Sequence, residues 1–266
     1  IRQHLAEKGW LDKAFVYWFD EPEPKDYEFV IDGMDRLARH APGLRRMLTE
    51  QVEQELIGYV DVWCPLTPQL ESDLTEDRMA AGDTFWWYVC TGPKAPWATL
   101  FIDHPATELR VWSWQTYQHG VRGLLVWATN YWTSGAAYPD QPQNPWEDPM
   151  SYVSGYSFQA GDVGYWGNGD GRFIYPPNRD PLDTETKYLT GPVNSLRWEM
   201  LRDGIEDYEY LRILEGLAVA ANDAEALALL EIPEEISASL TQFATDSTPI
   251  YEHRLKVAEA IERLSR

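Results

Sequence analysis

A chain of 266 residues, 44% of them hydrophobic, is long enough for one large domain or two small ones and apolar enough for a sizeable core. Its 22 Lys and Arg against 43 Asp and Glu leave a net charge of −21, an acidic surface that repels phosphate backbones and anionic lipid, so neither nucleic acid nor a membrane surface is expected as a partner. No apolar run reaches the length of a membrane span and the opening residues do not read as a signal peptide; the compartment stays open, with a secreted or periplasmic location preferred to the cytoplasm.

The chain opens with Ile1 to Trp10, which reads as the end of a helix capped at Gly9, as if the sequence began within a larger domain. Ala14 to Phe19 is a run of aromatic and β-branched residues, hence a buried strand, which Asp20-Glu21 close and Pro22 stops. Two carboxylates where a strand surfaces suit acid–base work; the plain alternative is that they open the acidic turn running to Asp26. Tyr27, Val30, Met34 and Leu37 recur at helical spacing over 26–39, and Pro42-Gly43 ends that helix. Residues 44–50 form a weak strand interrupted by Arg45-Arg46, and 58–64 a clearer one stopped by Pro65. A helix over 68–81, a strand over 84–90, a helix over 106–119 and a strand over 121–128 follow.

Residues 133–190 are a long excursion rich in Gly, Pro, Asn and Asp, punctuated by Trp146, Tyr152, Tyr156, Phe158, Tyr165 and Trp166. That aromatic content predicts an ordered lid or wall over a pocket. Asn168 to Gly171 make a tight turn into a short strand, Arg172 to Tyr175. Leu196, Met200, Ile205, Tyr208 and Leu211 mark the apolar face of a helix over 191–216. Its charged segment Arg197 to Gly204 reads as Arg–carboxylate pairing that holds the helix in place. Residues 223–266 read as a helical appendage interrupted near Pro233 and Pro249.

Strands alternating with helices through short loops predict a parallel sheet of βαβ units, its strands apolar because both faces are covered. Five such units fall three short of an eight-stranded barrel. The expected fold is α/β, of (β/α)8 TIM-barrel type, with this chain holding strands four to eight plus a C-terminal helical extension. Residues 1–216 would form the barrel portion and 217–266 the extension. Five strands alone would leave two long apolar edges, so the missing half of the barrel, or a partner covering the exposed strands, is expected. A complete open five-stranded sheet is the alternative.

In barrels the active site lies at the C-terminal strand ends. Those ends carry Asp20 and Glu21 as candidate catalytic residues and Trp63, Tyr88, Trp127, Asn130 and Trp132 as candidate substrate-binding walls. Thirteen Trp and fifteen Tyr are more than packing requires, and such rings stack on sugars as readily as they fill cores. Cys64 and Cys90 lie outside any metal-ligating spacing, so no zinc, other metal or cofactor is expected, and two buried thiols are favoured over a disulfide.

Five blocks, Tyr17-Trp18-Phe19-Asp20-Glu21-Pro22, Gly58 to Pro65, Trp86 to Cys90, Arg122 to Trp132 and Arg197 to Tyr210, stand in collinear order. Together they resemble the catalytic domain of glycoside hydrolase family 123 over most of residues 9–216. The resemblance implies a (β/α)8 barrel, an exo-acting β-N-acetylgalactosaminidase and a carbohydrate substrate bearing terminal N-acetylhexosamine. It also implies retention assisted by the substrate's own acetamido group. Asp20 matches the residue that orients that group, and Glu21 matches the general acid and base. With the substrate supplying its nucleophile, no carboxylate is required below the ring, and the two neighbours are expected to titrate apart, with Glu21 raised. Two other readings stay open. One is a conventional glycosidase using Asp61, Asp103 or Glu199 as the second carboxylate. The other is a non-catalytic carbohydrate-binding fragment.

Overall fold

The computed structural model describes residues 1–132, 144–147, 168–180, 183, 185–188 and 190–266. Tyr152, Tyr156, Phe158, Tyr165 and Trp166 of the expected lid lie outside the described residues. The chain divides into two compact units, the first built from Ile1–Tyr88 and Gly120–Leu125, the second from Val89–His119 and Val126–Arg266.

The first unit opens with helix α1 (Arg2–Glu7), closed by hydrogen bonds from Trp10 N–H to Leu5 C=O (2.8 Å) and Gly9 N–H to Ala6 C=O (3.1 Å), the double bond of a Schellman motif. Strand β1 (Phe15–Asp20) leads to α2 (Tyr27–His40), then β2 (Arg45–Thr49), β3 (Val62–Trp63), α3 (Asp73–Ala80), β4 (Thr84–Tyr88) and β5 (Gly123–Leu125). The strands form one sheet in the order β1-β2-β3-β4-β5, every neighbouring pair parallel. Sequential parallel order is what successive βα crossovers of one hand produce. It makes the sheet a curled arc of a (β/α) barrel.

All five expected strands exist, and most are shorter than their apolar runs. Only two residues of 58–64 pair as β3, because the segment before it turns at Gly58, whose φ of 91° lies in the left-handed region. The weak strand forms in spite of its two arginines. Arg46 sits at the N-terminal end of β2, and its Nε and Nη2 bond both oxygens of Asp61 (2.8 and 2.9 Å), so its charge does not disturb the buried Met47 and Leu48 beyond it. Val30 and Met34 of α2, Val62 and Trp63 of β3, and Phe85 and Trp87 of β4 complete that buried set.

In the second unit, α4 (Thr107–Gln118) is buried along nine consecutive residues, Glu108 to Thr116, and packs on α5 (Leu196–Ala221). A Cβ at Gly204 of α5 would lie 2.6 Å from Ser113 Oγ and 3.1 Å from the Arg110 backbone, so only glycine permits this approach. Beside it, Arg110 bonds Asp207 through Nε (2.6 Å) and Nη2 (3.1 Å), both side chains wholly buried. Trp114 Nε1 and Arg254 Nε complete the shell around the same carboxylate at 2.9 and 3.0 Å.

A short ribbon pairs β6 (Ile174–Tyr175) with β7 (Val193–Asn194), antiparallel, so α5 begins at the Ser195 cap rather than at Gly191. At its far end α5 passes residue 216 without a break and closes at Asn222, a left-handed residue. Helices α6 (Ala224–Ala228) and α7 (Glu234–Ser237), the two-residue strands β8 (Ala238–Ser239) and β9 (Gln242–Phe243), and helix α8 (Thr248–Leu264) follow. They share one core with α4 and α5, made of Val111, Trp114, Leu211, Leu214, Ile236, Ile250 and Val257 among others. Pro249 stands in the first turn of α8, where a proline starts a helix and does not interrupt one.

Candidate active site

Strand β1 is irregular where it matters. Phe15 to Tyr17 pair with Arg45 to Met47, but Phe19 and Asp20 pair with Leu48 and Thr49, leaving Trp18 as an extra, bulged residue that is 65% exposed. In a regular strand, residues three apart point to opposite faces. The bulge removes that mismatch, and the Tyr17 hydroxyl donates to Asp20 Oδ1. The same shift sets Asp20 level with Thr49, whose buried Oγ1 donates to the same carboxylate oxygen (2.8 Å). Burial and the bond to Asp20 push the Tyr17 phenol well above its ordinary value, so it stays a donor.

Glu21 follows with a φ of 43°, a left-handed conformation that costs a non-glycine residue on the order of 1–3 kcal/mol and persists only where surroundings hold it. Thr49 holds it, since its Oγ1 accepts the Glu21 backbone N–H at 2.9 Å. Tyr88, at the C-terminal end of β4, donates its hydroxyl to Glu21 Oε1. One hydroxyl, that of Thr49, thus fixes the side chain of Asp20 and the backbone of Glu21 together.

Glu21, Thr49 and Tyr88 line a cleft of about 150 Å³ with Glu50, Gln51, Leu66 and Gln69. Whole small-molecule pockets run to roughly 300–1,000 Å³, so this cleft is the size of only part of one. The Glu50 carboxyl in this cleft has a raised proton affinity. Burial pushes it up to about 7 against the pull of the Gln51 N–H, with Glu53 and Glu21 adding to the rise.

The structure brings Asp20, Glu21 and Tyr88 together. Trp63 lies elsewhere: it is wholly buried in β3, and its Nε1 donates to Asp83 (2.9 Å), just before the N-terminal end of β4. Its ring offers no face to a ligand, because the inward register of β3 placed it in the core. Trp127, Asn130 and Trp132 belong to the second unit. Trp127 is 40% exposed and bonds the buried Asp170 carboxylate (3.0 Å), which burial pushes up to about 6. Asn130 is exposed and bridges Arg172 through its backbone, and Trp132 Nε1 donates to Ile174 C=O (2.5 Å). Arg197 is buried and spends its guanidinium on the carbonyls of Leu100, Gly169 and Arg172 (2.6, 3.0 and 2.5 Å). It anchors α5 through backbone oxygens, not through the carboxylate pairing to the strand ends that was expected.

The sequence alone does not mark Tyr17, Thr49, Glu50, Gln51 or Gln69 as site residues. The signal for three of them is the polar run Thr49-Glu50-Gln51 closing the second strand at the same end as Asp20-Glu21. A larger cavity of about 450 Å³ lies at the other end of the strands, lined by Arg45, Arg46, Asp61 and Asp83 among others. Its two carboxylates are bound to Arg46 and Arg78, so neither is available for proton transfer. Asp61 is level with Arg46, three residues and about 10 Å along the strand from Thr49. Asp103 accepts from Asn168 (2.6 Å), and Glu199 pairs with Arg202 (2.8 Å) and Asn194 (2.7 Å). Cys64 is buried and Cys90 half-buried, its Sγ 3.7 Å from Thr91 Oγ1, and no disulfide joins the two. Among the described residues no His, Cys, Asp and Glu cluster is arranged to hold a metal, and no helix is long and apolar enough to cross a membrane.

An arc of parallel βα units with a carboxylate cleft at its C-terminal strand ends is an arrangement that enzymes acting on carbohydrate use. Residues 1–214 match the family "Glycoside hydrolase 123, catalytic domain", and the chain belongs to that family. No curated protein matched the chain in a sequence comparison.

Proposed function

We propose that this domain releases terminal β-linked N-acetylgalactosamine with retention, using the substrate's 2-acetamido group as nucleophile. Asp20 orients the acetamido group so that its carbonyl oxygen attacks C1. Glu21 gives its proton to the departing glycosidic oxygen as the C1–O bond breaks. An oxazolinium ion results. Glu21 then takes a proton from water, which adds at C1 and restores the acetamide. The observation that carries this reading is the shared scaffold of two adjacent carboxylates. Asp20 is an acceptor fixed by two hydroxyl donors, and Glu21 is turned into the cleft by a left-handed backbone held by the same threonine.

Among the described residues, the candidates for a conventional second carboxylate are occupied elsewhere, which supports substrate assistance. Ordinary retaining enzymes place two carboxyl groups about 5 Å apart across the bond. Asp61, Asp103 and Glu199 are each engaged with other side chains. The five strands are assigned as the fourth to eighth of a full barrel, with Asp20-Glu21 ending the fourth. Among the described residues β1 is paired on one side only, with Phe15, Tyr17 and Trp18 exposed on it, and further barrel strands would cover them.

The test is hydrolysis of an aryl 2-acetamido-2-deoxy-β-galactoside, alongside its gluco epimer and the parent β-galactoside. Asp20→Asn and Glu21→Gln are each expected to lower kcat by about 10²–10⁴-fold. Full activity in both variants refutes the assignment. Comparable turnover of the glycoside lacking the acetamido group refutes substrate assistance alone.

A further inference from the structure

The cleft beside Glu21 holds a third carboxyl group that the reaction just described leaves without a task. Glu50 directly follows Thr49 at the C-terminal end of β2, on the strand neighbouring Glu21, and lines the same cleft. Its one hydrogen bond among the described residues is a long one, 3.3 Å, from the N–H of the next residue, Gln51. A carboxyl group has room for about four hydrogen-bond partners. Half-buried and so poorly satisfied, Glu50 is a costly group to keep unless something else completes it. Two amides, Gln51 and Gln69, line the cleft with it. Carboxyl and amide groups side by side are what a ring of vicinal hydroxyls requires, since each hydroxyl both donates and accepts.

We propose that Glu50 is a specificity-determining residue of this enzyme, binding ring hydroxyls of the pyranose whose glycosidic bond Glu21 serves. The proposal rests on the reading of Glu21 as the acid and base, and it adds the contact that selects the sugar. Glu50 faces Glu21 just after β1, Glu53 from the loop after β2, and the Tyr27 phenol at the start of α2. Glu53 is itself occupied by the Gln51 amide (2.5 Å), which leaves Glu50 as the open carboxyl of the group. Proton affinity near neutrality lets Glu50 donate or accept according to the hydroxyl it meets.

The experiment compares wild type, Glu50→Gln and Glu50→Ala on the aryl 2-acetamido-2-deoxy-β-galactoside and on its 3-, 4- and 6-deoxy analogues. Glu50→Ala is expected to lower kcat/KM on the parent sugar by about 10–100-fold, the loss of a hydrogen bond to a charged group. On the analogue lacking the contacted hydroxyl the same variant is expected to change kcat/KM by less than about twofold, because the contact is already gone. Wild type should show a limb near pH 7 in kcat/KM that Glu50→Gln lacks. Equal deoxy penalties in wild type and Glu50→Ala at all three positions overturn the proposal, and an inactive Glu21→Gln in the same series leaves the catalytic reading standing. If the chain turns nothing over, titration with the methyl β-glycoside of N-acetylgalactosamine decides. Weaker binding by Glu50→Ala supports the proposal, equal affinity overturns it, and no binding by wild type overturns both readings. A thermal melt of Glu50→Gln, isosteric with the native side chain, separates loss of contact from loss of fold.

Discussion

At the scale of single residues, Thr49 carries more of the candidate site than either carboxylate does alone. Its hydroxyl donates to Asp20 and accepts from the Glu21 backbone, so Thr49→Val, nearly equal in size, removes both constraints without opening a cavity. The variant is expected to lose about 10–100-fold in kcat with a smaller change in KM, because the carboxylates remain but lose their alignment. Steady-state kinetics on the acetamido glycoside measure the split, and an unchanged kcat counts against the positioning role. Glu50 gives a second prediction, in stability. Its folded-state proton affinity is raised from 4.5 to about 7, so it costs nothing when protonated in both states. The penalty grows as pH rises from about 4.5 and is complete above 7. Glu50→Gln should therefore melt above wild type at pH 8, with the difference shrinking toward pH 5. A constant offset across that range would contradict the burial of this carboxyl. Asp20 and Glu21 were legible in the sequence because a polar pair closing an apolar run is visible without any partner. Thr49 was not, since a threonine at a strand end acquires its role only from the residue opposite.

At the scale of elements, the bulge at Trp18 decides the site's register. Without it Asp20 would stand level with Glu50 rather than Thr49, and Tyr17 would face away from Asp20. Nothing in Tyr17-Trp18-Phe19 announces the bulge, because an aromatic run reads alike with or without an extra residue. In the second unit α4 and α5 are joined by a buried charge. Asp207→Ala would strand the Arg110 guanidinium without its partner, an expected loss of about 3–5 kcal/mol seen as a lowered Tm. A change under about 1 kcal/mol would mean that the Tyr251 ring, 4.2 Å from the guanidinium carbon, suffices without the carboxylate. The sequence marked α5 as charged for a buried-looking helix and expected Arg–carboxylate pairing on it. On α5 itself Arg202 pairs with Glu199 and Asp203, but the buried pair takes its Asp from α5 and its Arg from α4, 97 residues earlier, a distance no local pattern spans.

For the whole molecule the controlling quantity is the charge of −21. Self-repulsion of that size destabilises the folded state and is screened by salt over about 10 Å at 0.1 M. Raising NaCl from 0.05 to 0.5 M is expected to raise the Tm by a few degrees. A fall in Tm would show that the local ion pairs, Arg46–Asp61 and Arg78–Asp83 among them, outweigh the net repulsion.

What the sequence determined by itself was local: which segments are strands and helices, their alternation into parallel βα units, the family likeness and the acidic pair at the first strand's end. These follow from apolar periodicity and from prolines and glycines, which act over a few residues. Tertiary structure decided what depends on register and on distant partners. It buried Trp63, which the sequence offered as a pocket wall, because strand parity alone does not say which face turns inward. It started α5 at Ser195 after an unforeseen ribbon and carried the helix past residue 216 into a core shared with the last helices. It joined Tyr17, Thr49 and Tyr88 from three strands onto two adjacent carboxylates, since hydrogen bonds between strands exist only once the sheet has fixed who stands opposite whom.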